Sequence, residues 1–459
     1  MNSRIQSPAY LEVSPVEMVS GKAIVPSSKP ETQRAILAAS LGGGRSTVYN
    51  DLRCSETSTM KRACEAIGAT IIEHEGYLEI HGIGDFPKAL NPIIDARGSG
   101  LVFRVMTAIT SFVSGVTVLT GDATLRSRIM APLFDALTQL GARLECVGDP
   151  HKAPVANLGY GFKGGRCVLP GDISSQFVTA IMFAAPFASE PTEIVVEGRV
   201  LSGSYIRQTI DTLQNAGISV DVDPDLSRFV VHPGKFRAGE YRIAGDFTSA
   251  SYLIGASALF DGTVTMENLS SRSLQGERAV LDVVKALGVE VEVDDINQRV
   301  TLTNRNAQLC GDFSFDASDS PNIVPTLAAI GAHVRGSFRV TGGSITRLHK
   351  SPRILAMITE LSKLGVSIEP IYKGEVIDGF QIYGDGLGYP GGKVLDSWGD
   401  HRIFMSLFVA TLRCHQANRL EGYRDVICSF ADFREQFTAL GVDSHEVAAS
   451  EEAVFDSAS

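Results

Sequence analysis

The chain is predicted to be an α/β protein of two domains, each assembled from three copies of one unit. Two in-phase series of residues carry that prediction. In the first, an amphipathic, helix-like stretch ends at a glycine followed at once by a β-branched run: Gly68, Gly141, Gly217, Gly288, Gly365 and Gly441, spaced 71 to 77 residues apart. In the second, a polar loop opens a strongly apolar helix: SKPETQRAILAA, GSGLVFRVMTAI, SSQFVTAIMFAA, TSASYLIGASAL, SPNIVPTLAAIG and GDHRIFMSLFVA. Length is the third observation, because 459 residues exceed what one hydrophobic core holds.

Within a repeat the pattern reads strand, helix, strand, helix, strand. The glycine ends the amphipathic helix, where a residue without Cβ adopts the left-handed cap at no steric cost. The other helix is too apolar to lie on a surface, so such helices should pack on one another behind strands such as TVTMEN, TEIVVEG and SFRVTGG. A strand-like segment, EVSPVEMVSGKAIVP, precedes the first repeat, and the last repeat stops after DFREQFTALGV. The N-terminal strand is therefore expected to complete the C-terminal domain. The expected domains are residues 28–246, residues 1–27 with 247–443, and a disordered acidic tail over 444–459. The chain crosses between domains near Pro26 to Lys29 and Gly245 to Thr248, which predicts a cleft lined by helix N-termini that closes on its ligand.

Composition narrows the function. A hydrophobic share of 44% and a charged share of 20% describe an ordinary soluble globular protein. A net charge of -11 without a Lys/Arg run argues against a nucleic-acid surface. Seven scattered cysteines without a CxxC pair read as reduced thiols of a cytoplasmic protein, and nine dispersed histidines give no metal-ligand spacing. No apolar run reaches membrane-spanning length, and the first residues lack a secretory apolar stretch. No metal or organic cofactor is expected, and the partners are small anions, with the protein a monomer or small homo-oligomer.

Each polar loop opens a helix whose unpaired N–H groups and positive dipole end suit phosphate or carboxylate. Ser, Thr and Asp at such positions also serve as plain helix caps. Basic residues in the same loops favour the anion: Lys29, Arg34, Arg104 and Arg402, with Arg128 and Arg353 in neighbouring segments.

With its loops in this order, the chain resembles the enolpyruvyl transferases, and within them the EPSP synthases, from about Val25 to about Gly441. The resemblance is carried by SSQF-TA at Ser174 to Ala180, GD-x-x-SASY at Gly245 to Tyr252, LQGER near Gly276, and DHR at Asp400 to Arg402. It implies a two-domain inverse α/β barrel fold of six βαβαβ-type repeats and transfer of the 1-carboxyvinyl group of phosphoenolpyruvate to a hydroxyl of 3-phosphoshikimate or a related phosphorylated alcohol. Carried over by position, Ser174, Ser175 and Ser202 resemble the phosphate-binding serines, Gln176 the residue lying against the ring, and Arg34 and Tyr205 the contacts to the ring carboxylate. Lys29, Arg128, Arg353 and Arg402 match the basic residues around phosphoenolpyruvate, and Gly100 the glycine whose backbone lies against that site.

The chemistry-bearing positions depart from the family. Asn322 stands where an Asp handles the acceptor proton; Ile345, His349 and Lys350 replace an Asn, a Lys and an acidic residue; Cys428 replaces a late Lys. Ser27, Pro30 and Gly98 also differ from the family's residues. An amide is essentially non-basic near neutrality, and losing a positioned acid or base lowers rates by about 10²- to 10⁴-fold. Candidates to take over proton transfer are His401, Asp400, His349 and Lys350, with Cys428 read as an inert thiol among Val426, Ile427 and Phe430. Two alternatives stay open: a lyase or dehydratase acting on a shikimate-like acid, and a non-catalytic ligand-binding homologue.

Overall fold

The six marker glycines all take left-handed backbone conformations, with φ between +84° and +116° in the computed structural model. Each closes an amphipathic helix: Ser55–Ala66, Ala131–Leu140, Gly203–Asn215, Val280–Ala286, Arg353–Leu364 or Phe433–Thr438. The apolar series forms the inner helices Lys29–Leu41, Gly100–Ile109, Ser175–Ala184, Phe247–Leu259, Val324–Gly331 and His401–Thr411. Every residue of Gly100–Ile109 and of Phe247–Leu259 is buried, as an all-round apolar helix requires.

The described residues are 9–306 and 308–448. They fall into two units, one covering Ser27–Ala244 and the other combining the chain up to Pro26 with the chain from Gly245 onward. Each unit has its own core: Phe103, Phe177, Phe183 and Phe229 anchor one, and Tyr252, Phe247, Phe404 and Phe408 the other. A fully buried side chain of this size contributes about 1.5–3 kcal/mol.

Every repeat holds a four-stranded sheet, so the segment after the second helix is a hairpin rather than the single strand expected. In the second repeat, Ile93–Asp95 pairs in parallel with Thr117–Thr120, which pairs antiparallel with Val155–Asn157, which in turn pairs with Leu144–Cys146. The other five sheets repeat this order. Three of them borrow a strand from far along the chain. The first repeat takes Glu240–Arg242 as its first strand, paired with Gly43–Tyr49. The fourth takes Gly21–Ile24, paired with Gly262–Glu267. The sixth takes Ala9–Val13 as its last, between Asn418–Glu421 and Ser444–Ala448. The N-terminal segment thus makes two strands in two sheets, not one.

The strand Ser444–Ala448 corrects the expectation of a disordered tail from residue 444. Ser444 and Val447 turn inward, and the strand covers the open edge of Ala9–Val13, whose N–H and C=O groups would otherwise lack partners. Residues 449–459 of that expected tail lie outside the described residues.

Candidate active site

The polar starts of five of the six inner helices are caps, Val324–Gly331 being the exception. Ser28, Ser99, Ser174, Asp246 and Asp400 each accept a backbone N–H of the following turn through their side-chain oxygens. In three repeats the turn before the cap is also shared: Asp95, Asp316 and Asp396 each accept the N–H two residues on, at 2.8, 2.9 and 2.7 Å. These local devices fix where each helix starts and so where its neighbouring cations stand.

In the Ser27–Ala244 unit the three inner helices are linked near their starts, the third through Thr209 of the outer helix Gly203–Asn215. Gln33 Nε2 donates to Ser99 Oγ at 3.4 Å. Arg34 Nε donates to Thr209 Oγ1 at 2.9 Å, and Thr209 meets Thr179 at 2.9 Å. Arg34 is otherwise held by the carbonyls of Pro30 and Tyr205, at 3.0 and 3.1 Å, and burial lowers it to about 10. Lys29 pairs with Glu56 at 3.0 Å.

Gly100, Arg104, Arg128 and Gln176 converge on one point. A Cβ built on Gly100 would lie 2.5 Å from Arg104 Nη1, 3.0 Å from Arg128 Nη1 and 3.4 Å from Gln176 Oε1. Arg104 also donates through Nη1 to Gln176 Oε1 and stacks over Phe177 at 5.1 Å. Burial, then the like charge of Arg128, lowers Arg104 to about 9. Two guanidiniums aimed at one point repel each other, and an anion placed between them removes that cost.

Ser174 and Ser175 open the third inner helix, and Leu201 N donates to Gly171 O at 2.9 Å, bringing the Ser202 loop alongside. Ser202 itself sits at φ 59°, ψ 39°, a left-handed conformation that is strained for a side-chain-bearing residue.

In the other unit, Arg353 is the hub. Its Nε donates to Asp400 Oδ2 at 2.8 Å, and its Nη1 donates to Asn322 Oδ1 and His349 Nδ1, each at 2.9 Å. Its Nη2 has no hydrogen-bond partner among the described residues. Three of five donors are spent inside the protein, and two are left for a ligand. Asp400 Oδ2 also accepts from Ser351 Oγ at 3.2 Å, while Oδ1 accepts the Arg402 N–H at 2.9 Å and lies 3.7 Å from His401 Nδ1. Burial opposes ionisation of the Asp400 carboxyl, but the charge and hydrogen bond of Arg353, His401 and the Arg402 N–H together hold it well below the usual carboxylate range. By accepting from Arg353, His349 Nδ1 must be unprotonated, so the ring is neutral with its proton on Nε2.

Lys350 is exposed, and its charge acts on Asp425, whose carboxyl is raised by burial against that pull. Cys428, expected to be enclosed, is half-buried at the end of the turn Tyr423–Cys428, with Ile427 exposed beside it. Sequence reasoning named no role for Glu277 or Asp425. Glu277 is buried and accepts from Asn322 Nδ2 at 3.0 Å; its signal was an acidic residue inside the LQGER motif. Asp425 stands three residues before Cys428 in the turn that carries both. Among the described residues no group of three or more His, Cys, Asp and Glu is arranged to hold a metal, and no helix is long and apolar enough to cross a membrane.

The family model for EPSP synthase (3-phosphoshikimate 1-carboxyvinyltransferase) matches residues 13–437. The 3-phosphoshikimate 1-carboxyvinyltransferase of Methanosarcina acetivorans is 35% identical over 94% of this chain and 97% of its own length. That of Halobacterium salinarum is 34% identical over 95% and 99%. A solved EPSP synthase from Acinetobacter baumannii, 23% identical, shares the fold with a TM-score of 0.82 over 96% of this chain and 100% of its own. By its matched length and the identity of these relatives, the chain belongs to the EPSP synthase family.

Proposed function

We propose that this protein transfers the 1-carboxyvinyl group of phosphoenolpyruvate to a hydroxyl of 3-phosphoshikimate or a closely related phosphorylated alcohol. The observation that carries this reading is the pair of cationic clusters beside inner-helix starts, one of Arg104 and Arg128 at Gly100 and one of Arg353 bonded to Asp400, the residue that caps the helix carrying Arg402. The archaeal relatives that match 94% and 95% of the chain carry this activity in their names.

In this reaction the methylene carbon of phosphoenolpyruvate takes a proton, the acceptor oxygen bonds to the adjoining carbon and gives up its own proton, and phosphate then leaves as the methyl group returns a proton. Gly100, Lys29, Arg128, Arg353 and Arg402 bind the carboxylate and departing phosphate. Ser174, Ser175 and Ser202 hold the acceptor's phosphate, Gln176 lies against its ring, and Arg34 and Tyr205 meet its carboxylate. Asp400, ionised throughout the physiological range, orients Arg353 and caps its helix instead of moving a proton. His401, and His349 once its Nδ1 is released from Arg353, are the groups chemically able to exchange protons near neutrality, with Lys350 adding positive charge. A cytoplasmic monomer or small homo-oligomer accompanies this reading.

A second reading draws on Asn322 and Lys350, which replace the two carboxylates this transfer employs: elimination from a shikimate-like acid without phosphoenolpyruvate. Phosphate release from phosphoenolpyruvate, with and without 3-phosphoshikimate, separates the two. Acceptor-dependent release with an enolpyruvyl adduct by mass spectrometry is expected; turnover of the ring acid alone would overturn the transfer.

A further inference from the structure

Glu277 is a buried carboxylate for which the reaction above has no role. It lies in the short turn Gly276–Ala279 and accepts from Asn322 Nδ2 at 3.0 Å, while Asn322 Oδ1 accepts from Arg353 Nη1 at 2.9 Å. An ionised carboxylate only accepts and a guanidinium only donates, so the amide between them has one orientation. The other Nη1 hydrogen goes to His349 and the Nε hydrogen to Asp400. The Arg353 plane is thereby gripped along two edges, and Nη2 is the edge left for a ligand.

We propose that Glu277 is a positioning residue for the anion site: acting through Asn322, it fixes the Arg353 guanidinium with Nη2 presented to the carboxylate or phosphate of phosphoenolpyruvate. The proposal rests on the reading that Arg353 binds this anion. It also gives Asn322 a purpose. A carboxylate at position 322 would stand about 3 Å from that of Glu277, where two such groups do not both ionise, and would draw on the same guanidinium charge as the ligand. The amide keeps the link to Arg353 without either effect, so position 322 reads as a holder of the cradle and not as a base that has been lost.

The test uses the full-length protein, with steady-state kinetics and calorimetric binding of phosphoenolpyruvate. Glu277→Ala is expected to raise KM and Kd for phosphoenolpyruvate at least about tenfold while kcat changes less than about threefold, the signature of a lost orienting contact. Glu277→Gln should recover to within about threefold of wild type, since its amide oxygen still accepts from Asn322. Asn322→Ala, which cuts the link from its other end, should match Glu277→Ala, and the double variant should be no worse than either single one. Unchanged KM in Asn322→Ala, fully additive effects, or a kcat loss shared by Glu277→Ala and Glu277→Gln would each overturn the proposal. If Glu277→Ala does not fold, Asn322→Ala with Glu277→Gln decides it alone. A wild-type protein that binds phosphoenolpyruvate without turnover would sink the transferase reading while the Kd values still report on the cradle.

Discussion

At Gly100 the missing side chain is what admits two guanidiniums to one point, so the residue can be tested by filling it. Gly100→Ala puts a methyl 2.5 Å from Arg104 Nη1 and 3.0 Å from Arg128 Nη1, and both must shift. The expected result is a rise of about 10²-fold in KM for phosphoenolpyruvate, read by steady-state kinetics, because displacements of an ångström at such sites cost that much. Burial and the like charge of Arg128 hold Arg104 below the usual guanidinium range, yet its charge persists near neutrality, so phosphoenolpyruvate affinity should be flat from about pH 7 to 8 in calorimetric titrations. At this scale the sequence located the cations but could not say what each was bonded to. Arg34, named as a contact to the ring carboxylate, gives three of its five N–H donors to Thr209, Pro30 and Tyr205, partners up to 175 residues away, and keeps two for a ligand.

Among the elements, the helix starts do two tasks with the same atoms. Asp400 caps the helix His401–Thr411 and pairs with Arg353 at 2.8 Å with neither side chain open to solvent. Asp400→Ala leaves a buried guanidinium without its anion and should destabilise the protein by about 3–5 kcal/mol, measured by urea unfolding. Because the Asp400 carboxyl is depressed in the folded state, its contribution is complete above the ordinary carboxylate range and is lost only as pH falls below it. Ser202, held in a left-handed conformation at a helix start, predicts the opposite sign. Ser202→Gly should raise stability by about 1 kcal/mol, seen in the urea midpoint, while weakening binding of the acceptor's phosphate. The helices and their glycine ends were legible because both signals are local: apolar period, cap residue and left-handed glycine. The hairpin in each repeat was not, since its last strand carries no local mark separating it from a loop.

For the molecule as a whole, one buried histidine makes stability depend on pH. His333 is buried in the unit that contains the chain's ends, where its ring meets Ala410 O at 2.8 Å. Burial, with Arg413 nearby, lowers it from 6.5 to about 4. The unfolded chain therefore takes up the proton first as pH falls, so stability is full above 6.5 and declines between 6.5 and 4. A slope of about 1.4 kcal/mol per pH unit is expected in that window from urea unfolding, and His333→Gln should flatten it. Three sheets at this scale need strands from distant parts of the chain, so trimming the N-terminus has a predictable reach. Deleting the strand Ala9–Val13 removes the partner of both Asn418–Glu421 and Ser444–Ala448 and opens two sheet edges at once.

By itself the sequence determined the repeat, its period, the inner and outer helices and the positions of the cations, because each of these follows from residues within one turn or one strand of each other. The family resemblance came from the same local blocks. Only the tertiary structure decided which strand completes which sheet, that Ser444–Ala448 is a strand and not a tail, and that Glu277 reaches Arg353 through Asn322. Those outcomes depend on backbone groups needing partners and on buried charges needing counter-charges. Both needs are met by whatever the fold brings near, at separations that no local pattern records.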